Sequence, residues 1–284
     1  MSRPVRTIAA GLAFSEGPRW HDGRLWFSDM GTRAVCAVEP AGGTTSELIV
    51  EVAGRPSGLG WLPDGSLVVV SMSDRRLLRL EGDELVAHAD LASLVTHDCN
   101  DMVVDARGNA YVGNAGFDLS ARPLDVRPAQ VVLVRPDGEA LVVDDEVVFP
   151  NGSVIADGGR TLVVAETFGR QLTAFDIADD GTLSGRRVWA ELPDRSPDGI
   201  CLDVEGAIWV ADASSSTCLR VREGGEVVDE VGVGPQHAFA CALGGRDGTT
   251  LFVCAADGFT GSAMKARSAQ IVAIEVDVPG AGSP

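Results

Sequence analysis

A recurring unit of about 45 residues is the feature of this 284-residue chain that most restricts its fold. Each of six segments holds a short β-rich run, a turn that ends in glycine and a second β-rich run, as in "GPRWHDGRLWFSD" and "NDMVVDARGNAYVGN". The six turn glycines, at a mean spacing of 45 residues, are Gly23, Gly65, Gly108, Gly159, Gly206 and Gly248. Asp-Gly and related turns between apolar runs indicate β-hairpins. The chain is therefore expected to be built from six hairpin-containing repeats.

Further strand-like runs between the hairpins, such as "RLLRLEG" and "ELVAHADL", bring each repeat to about four strands. Four short strands are the content of one β-propeller blade. The sequence therefore predicts an all-β, six-bladed β-propeller with four-stranded antiparallel blades around a central channel, as one domain over residues 1–284. The opening "VRTIAAGL" and the closing "QIVAIEVDV" are expected to pair in one blade and close the ring. A pair of β-sandwiches is the alternative, but it does not account for six equal periods.

The charge balance limits the partners of the chain. Its 41 acidic and 23 basic residues give a net charge of −18. This argues against nucleic acid or an anionic membrane as a partner, because both are bound through Lys and Arg. A small neutral substrate and a cation remain compatible with this charge.

Two further features of the sequence bear on the compartment of the protein. The six cysteines are widely spaced with no C-x-x-C pair, so we expect reduced thiols. The N-terminal run "TIAAGLAF" is too short and glycine-broken for a convincing signal peptide, and no stretch approaches the roughly 20 apolar residues that span a bilayer. We expect a cytoplasmic protein, as a monomer or a small homo-oligomer.

Polar residues recur where the first strand of each repeat begins. Glu16 lies seven residues before its turn glycine, and four others lie eight before theirs: Ser57, Asn100, Asn151 and Asp198. The sixth repeat has Ala240 there, with Phe239 and His237 beside it. Because the first strand of each blade lines the channel of a propeller, residues at one end of these strands converge. We therefore expect Glu16, Asn100, Asn151 and Asp198 to face one another at the channel mouth.

Two carboxylates and two amides form a set of oxygen ligands, which suits one hard divalent cation. Ca²⁺ is favoured, and Mg²⁺ and Mn²⁺ are alternatives. Zn²⁺ ranks lower, because it normally binds His or Cys. The other interpretation is that these residues open strands as turn formers. The metal site is favoured because four positions converge and Glu16 has no advantage in a turn.

A second polar position follows the turn glycines. Six residues after four of them, or seven in the fourth repeat, stand Asp29, Ser71, Asn114, Asp212 and Glu166. These side chains could cap strands, or they could orient the ligands of a metal. The sequence leaves both roles open.

Several motifs together carry a resemblance to a known family. "SEGPRW" with "LWFSD", "NDMVVDARGNAYVGN", "FPNG" with "LVVAET" and "PDGICLDVEGAIWVAD" resemble the gluconolactonase, regucalcin and luciferin-regenerating-enzyme family over about residues 5–280. The resemblance implies a six-bladed propeller with one divalent cation at the channel mouth. It implies that Glu16, Asn151 and Asp198 are metal ligands, that Asn100 is a ligand or a substrate contact, and that Asp101 belongs to the same motif. It also implies lactone hydrolysis, often on sugar acids.

The chain departs from this family at two positions near the mouth. Relatives acting on aldonolactones usually carry an arginine two residues before the asparagine that matches Asn100, and this chain has Asp98 there. Phe239 stands where a small hydroxyl residue is common. We therefore expect a pocket unlike a sugar-lactone pocket. The expected substrate contacts are Asn100, Asp101, Asp98 and His237.

The favoured function is a metal-dependent lactonase, in which the cation polarises the lactone carbonyl and activates a water molecule. Asp198 is the candidate catalytic base. His97, His237, Glu166 and a metal-bound hydroxide are alternatives for that role. The same site could instead serve an ester or phosphotriester hydrolase, or a cyclase or isomerase of a biosynthetic pathway. A non-enzymatic, calcium-binding propeller scaffold is the remaining alternative.

Overall fold

The computed structural model describes residues 3–282 and is built almost wholly from short β-strands. In chain order the elements are β1 (Val5–Leu12), β2 (Ser15–His21), β3 (Arg24–Asp29), β4 (Ala34–Val38), β5 (Glu47–Glu51), β6 (Pro56–Trp61), β7 (Leu67–Ser71), β8 (Arg76–Glu81), β9 (Glu84–Asp90), β10 (Cys99–Val104), β11 (Ala110–Asn114), β12 (Ala129–Val134), β13 (Ala140–Val147), β14 (Pro150–Ala156), β15 (Thr161–Glu166), β16 (Gln171–Ile177), β17 (Leu183–Glu191), β18 (Pro197–Leu202), β19 (Ile208–Asp212), β20 (Thr217–Val221), β21 (Val227–Gly232), β22 (His237–Gly244), β23 (Thr250–Ala256), α1 (Gly261–Ala266) and β24 (Ala269–Glu275). Each predicted hairpin glycine lies between the first two strands of a sheet, and all six have positive φ.

The strands form six four-stranded antiparallel sheets, which are the blades of a six-bladed propeller. The first five blades are β2–β5, β6–β9, β10–β13, β14–β17 and β18–β21, each in sequence order. The innermost strands β2, β6, β10, β14, β18 and β22 contact one another in turn around a closed ring. The predicted fold class is therefore confirmed.

The sixth blade combines the two ends of the chain. Its strands β22, β23 and β24 are completed by β1, which pairs with β24 through Val5 opposite Ile274 and Thr7 opposite Val272. This is the pairing expected from the first and last strand-like runs. Because the chain continues from β1 into β2 of the first blade, the hydrogen bonds between β1 and β24 close the ring.

Hydrophobic side chains fill the spaces between neighbouring blades. The second strands show this most clearly, because every residue of β7 and of β15 is buried. Phe27 of the first blade and Phe252 of the sixth lie in one cluster with Ile8 of β1, and all three are fully buried. All six cysteines are free thiols, as the sequence indicated. Within residues 3–282, the helical structure offers no segment long and apolar enough to cross a membrane.

Candidate functional site

Five polar side chains occupy the same position in five successive inner strands. Glu16, Ser57, Asn100, Asn151 and Asp198 are each the second residue of β2, β6, β10, β14 and β18, and all five are buried. Contacts run between neighbours: the Ser57 hydroxyl donates to Asn100 Oδ1 at 3.4 Å, and Asn100 Nδ2 donates to the Pro150 carbonyl at 3.4 Å. The structure thus places the four predicted ligands on one rim of the channel. We call Glu16, Asn100, Asn151 and Asp198 the mouth residues.

A β-bulge lies at or next to this position in every blade. In the fourth blade Pro150 pairs with Glu166 and Ser153 pairs with Val164, so Asn151 and Gly152 together oppose one residue of β15. The second, third and fifth blades have the same irregularity. In the first blade Glu16 pairs with Ser28 and the bulge follows it, and in the sixth Phe239 is the extra residue. A bulge bends the strand and redirects a side chain, and bulges are frequent beside active sites. The repeated bulge explains how a residue of a regular hairpin can be turned into the channel.

Glycine next to the second residue of an inner strand lets these strands approach closely. A Cβ atom added at Gly152 would lie 2.5 Å from the backbone nitrogen of Ile200 and 2.6 Å from Cα of Gly199. A Cβ at Gly58 would lie 2.3 Å from the backbone nitrogen of Met102. These neighbours are backbone atoms, so the contact can be relieved only by moving a strand.

We therefore expect Gly152→Ala to separate β14 from β18. Overpacking of this kind costs about 1–3 kcal/mol in the free energy of unfolding. The same displacement moves Asn151 away from Asp198, so affinity for a divalent cation should fall as well. Urea denaturation and calcium titration of the variant measure the two effects. Gly158→Ala is the control for a glycine near this strand, because a Cβ at Gly158 meets nothing within 4 Å; it should change stability without changing calcium affinity.

Burial and nearby negative charge raise the pKa values of the two carboxylates among the mouth residues. Burial is the main cause for Glu16, the charge of Asp101 adds to it, and together they raise the pKa of Glu16 to about 8. Burial also raises the pKa of Asp198 well above its usual value, helped by the charges of Glu16 and then Asp101. Both groups therefore resist ionisation unless a positive charge is supplied.

Asp101 has its own counter-ion. Its Oδ1 accepts a hydrogen bond from Arg19 Nη2 at 3.2 Å and another from the backbone N–H of Met102 at 2.8 Å. Arg19 Nη2 also donates to the Met102 carbonyl at 2.6 Å. The guanidinium balances one of three buried carboxylates. When a cation binds and both ionise, Glu16 and Asp198 supply two negative charges at the mouth, which equals the charge of one divalent cation.

The atoms at the mouth fit such a cation. Asp198 Oδ1 is buried and has no hydrogen-bond partner in the structure. Asn151 uses Nδ2 to donate to Thr167 Oγ1 at 3.2 Å, which leaves its oxygen for a ligand. Among the described residues, no three His, Cys, Asp or Glu side chains are grouped to hold a metal by themselves. A metal at this site therefore depends on the amide oxygens as well as on the carboxylates, as hard cations accept.

The second polar position anchors the chain just before three of the inner strands. Asp29 Oδ1 accepts from the backbone N–H of Phe14 at 2.9 Å, and Glu166 Oε2 accepts from that of Val148 at 2.6 Å. Asp212 Oδ1 accepts from the backbone N–H of Ser196 at 3.0 Å. These three carboxylates belong to the blades that carry Glu16, Asn151 and Asp198. They bind the backbone just before each of these strands. In this way they help to position Glu16, Asn151 and Asp198.

The remaining predicted residues lie around the mouth with different partners. Asp98 forms an ion pair with Arg55, Oδ2 to Nη2, at 2.6 Å, and both side chains are about 40% exposed. His237 is exposed and its Nδ1 lies 3.0 Å from the Ala213 carbonyl. His97 is half-buried and hydrogen-bonds Thr96. Glu166 is bound to Thr173, Gln171 and Val148, so as a base it would have to give up these contacts.

A cavity that the sequence did not indicate lies farther along the channel. It measures about 250 Å³ and is lined by the later residues of the inner strands, among them Arg19, Trp61, Cys201 and Cys241. The Cys201 and Cys241 sulfurs are 3.6 Å apart. Arg19 lines this cavity and also contacts Asp101, so it stands between the cavity and the mouth.

Comparison with known proteins places the chain in a family. The family model for the SMP-30/Gluconolactonase/LRE-like region matches residues 14–257. The chain belongs to this family. The match covers all five polar positions at the starts of β2, β6, β10, β14 and β18. The family resemblance that the motifs carried is therefore confirmed.

Individual relatives are distant. Regucalcin of Oryctolagus cuniculus is 24% identical over 86% of this chain and 83% of its own length. A 6-deoxy-6-sulfogluconolactonase of Pseudomonas putida is 24% identical over 92% of this chain and 89% of its own. Diisopropyl-fluorophosphatase of Loligo vulgaris is 26% identical, but over only 57% of this chain and 56% of its own. Two of these relatives are named for hydrolytic activities, a lactonase and a fluorophosphatase.

A solved structure confirms the fold independently. The calcium-binding protein regucalcin of Agrobacterium tumefaciens superimposes with a TM-score of 0.84, covering 100% of this chain and 97% of its own. Its sequence identity of 19% is low, so the likeness concerns the propeller architecture.

Proposed function

We propose that this chain is a divalent-metal-dependent hydrolase that opens a lactone or another small cyclic ester. The observation that carries the proposal is the pair of buried carboxylates, Glu16 and Asp198: burial and neighbouring carboxylates raise the pKa of both, and Asp198 Oδ1 has no hydrogen-bond partner in the structure. The calcium-binding regucalcin and the sulfogluconolactonase among the relatives support a cation and a lactone respectively.

In this proposal Glu16, Asn151 and Asp198 hold the cation, with Asn100 as a further ligand or a substrate contact. Ca²⁺ is the favoured ion because all the donors are oxygens. A bound divalent cation supplies Lewis acidity toward an ester carbonyl and toward water. Asp198 carries two carboxylate oxygens, so it can bind the cation with one and accept the proton of the attacking water with the other.

The surrounding residues prepare the site for this reaction. Buried Asp101 and half-buried Arg19 form an ion pair whose two charges act on Glu16. Asp29, Glu166 and Asp212 hold the strand entries, so the ligands are positioned before a substrate binds. A prearranged set of charges lowers the reorganisation needed in the transition state.

Lactone hydrolysis with and without a chelator tests the proposal. Ring opening by the calcium-loaded protein is followed in a pH-stat over a panel of γ- and δ-lactones, before and after removal of metal with EDTA. We expect the rate to fall by about 100-fold or more without metal and to return with Ca²⁺. Glu16→Gln should behave like the metal-free protein, and Glu191→Gln, an exposed residue, should behave like the wild type.

Turnover that persists in a protein shown by elemental analysis to be metal-free would contradict the proposal. The likeness to diisopropyl-fluorophosphatase supplies a second candidate, a phosphotriester hydrolase on the same site. Diisopropyl fluorophosphate and an aryl phosphotriester are therefore included in the panel. EDTA-sensitive cleavage of these compounds without lactone opening would favour the second candidate.

A further inference from the structure

We propose that the substrate carries an aromatic or similarly apolar group, which packs against Phe149 and Phe168 on one side of the channel mouth. This inference deepens the proposed function and rests on it for the reacting bond. Phe117, Phe149 and Phe168, here called the aromatic cluster, have ring centroids 5.3–5.9 Å apart. The cluster lies between the third and fourth blades.

All three residues lie at the same end of the propeller as the mouth residues. Phe149 stands directly before β14, and Phe168 and Phe117 follow the ends of the second strands β15 and β11. Phe117 is buried and supports the other two rings, Phe149 is half-buried, and Phe168 is 39% exposed. The cluster therefore presents an apolar surface at the mouth, and the buried ring of Phe117 packs beneath it.

Thr167 connects the aromatic cluster to a proposed ligand through two hydrogen bonds. The Thr167 N–H donates to the Phe149 carbonyl at 3.3 Å, and Thr167 Oγ1 accepts from Asn151 Nδ2 at 3.2 Å. Phe168 is the next residue after Thr167. A substrate whose carbonyl lies at the mouth residues can therefore also contact these rings through a substituent.

The backbone at Phe149 is unusual for its residue type. Its φ is +58°, in the left-handed region that bulky side chains rarely adopt, and it precedes a proline, which also disfavours helical backbone. Arg55 has the corresponding position in the second blade, also precedes a proline, and has a φ of +67°. Such conformations persist where the surrounding structure enforces them, and they are concentrated at functional sites. The unusual backbone at Phe149 and Arg55 therefore indicates that the surrounding structure holds both residues in place at the mouth.

The other side of the mouth is poorly suited to a polyol. Arg55 and Asp98 neutralise each other at 2.6 Å, so neither charge is free for several hydroxyl groups. Phe239, on the sixth blade, packs edge-to-face against Phe14 with centroids 4.9 Å apart. The mouth therefore has an ion pair on one side and the aromatic cluster on the other. A neutral lactone with an apolar substituent fits these surfaces better than a sugar lactone does.

A pair of lactams tests the inference without requiring turnover. Piperidin-2-one and 3,4-dihydroquinolin-2-one share a six-membered lactam ring, and the second adds a fused benzene ring. Lactams resist hydrolysis, so isothermal titration of calcium-loaded protein measures binding alone. We expect the benzo-fused lactam to bind at least about 10-fold more tightly. Phe168→Ala should reduce this preference to about threefold or less, because the side chain contributes its exposed face to the ligand.

Phe259→Ala is the matched control. Phe259 is the other exposed phenylalanine of the described residues, 55% exposed on the loop before α1, and its removal should leave the preference unchanged. Equal binding of the two lactams by the wild type, or binding of neither, would overturn the inference. So would an unchanged preference in folded Phe168→Ala. A preserved aromatic preference in a protein that opens no lactone would instead refute the proposed function alone.

Discussion

Replacing Asp198 by asparagine is expected to lower kcat for lactone opening by about 10³-fold or more and to abolish tight calcium binding. The substitution keeps the shape of the side chain but removes a charge from the site and the oxygen pair proposed to accept a proton. Since the mouth has two unbalanced carboxylates, losing one leaves a divalent cation with half of its counter-charge. Steady-state kinetics at saturating Ca²⁺ and calcium titration of the metal-free variant measure the two losses.

Asp194→Asn is the control for this substitution, because Asp194 is an exposed aspartate in the loop before the same strand. It should retain wild-type kcat and calcium affinity. A variant Asp198→Asn that binds calcium normally and opens lactones within about 10-fold of the wild-type rate would fall far short of the loss expected for a base. That result would remove Asp198 from both of its proposed roles.

The metal-free protein is expected to gain stability from Glu16→Gln at alkaline pH. The pKa of Glu16 is raised from 4.5 to about 8 in the folded state, so the folded protein binds more protons than the unfolded chain between these values. Stability contributed by this group is therefore present below about pH 4.5 and is lost as the pH rises through 8. A shift of this size corresponds to about 5 kcal/mol in the free energy of unfolding at pH 8 and above.

The comparison with the variant is needed because another group titrates with the opposite sign. Burial raises the pKa of the Cys241 thiol, but hydrogen bonds from Cys201 and Cys218 outweigh it and lower that pKa to about 5. A lowered thiol pKa stabilises the folded protein as the pH rises. Subtracting the wild-type curve from that of Glu16→Gln removes this contribution, which both proteins share.

Urea denaturation in EDTA at pH 5, 6.5 and 8 measures the difference. It should be small at pH 5 and grow by several kcal/mol toward pH 8. Saturating calcium should reverse it, because the cation stabilises the wild type and not the variant. A difference that does not change with pH would mean that Glu16 is ionised in the folded, metal-free protein and that its charge is already balanced.

The sequence predicted the fold and the shared strand position of the mouth residues because both depend on a short-range register. A hairpin glycine fixes the pairing of two adjacent strands, so counting back from Gly108 or Gly206 locates Asn100 or Asp198 at the same height in its blade. The pairing of β1 with the last strand could also be predicted, because strand-like patterns occur at both ends of the chain. In blade six the same count back from Gly248 reaches Ala240, which has no polar side chain.

The partners of these residues could not be predicted in the same way. Arg19 and Asp101 are 82 residues apart and belong to different blades, and no local pattern links them. Arg55 and Asp98 meet only because neighbouring inner strands are brought side by side. The sequence did single out Asp29, Glu166 and Asp212, but it could not show that their carboxylates accept hydrogen bonds from backbone N–H groups. The aromatic cluster likewise joins loops of two blades.

A crystal structure of the protein grown with Ca²⁺, and one grown with Mn²⁺ for its anomalous signal, tests the central claim most directly. We predict one strong peak at the channel mouth, about 2.1–2.6 Å from oxygens of Glu16, Asn151 and Asp198. In the same crystal form, Glu16→Gln should lack or greatly weaken the peak. A mouth that stays without a peak at saturating metal, or a peak elsewhere in the molecule, would show that these buried carboxylates do not hold a cation.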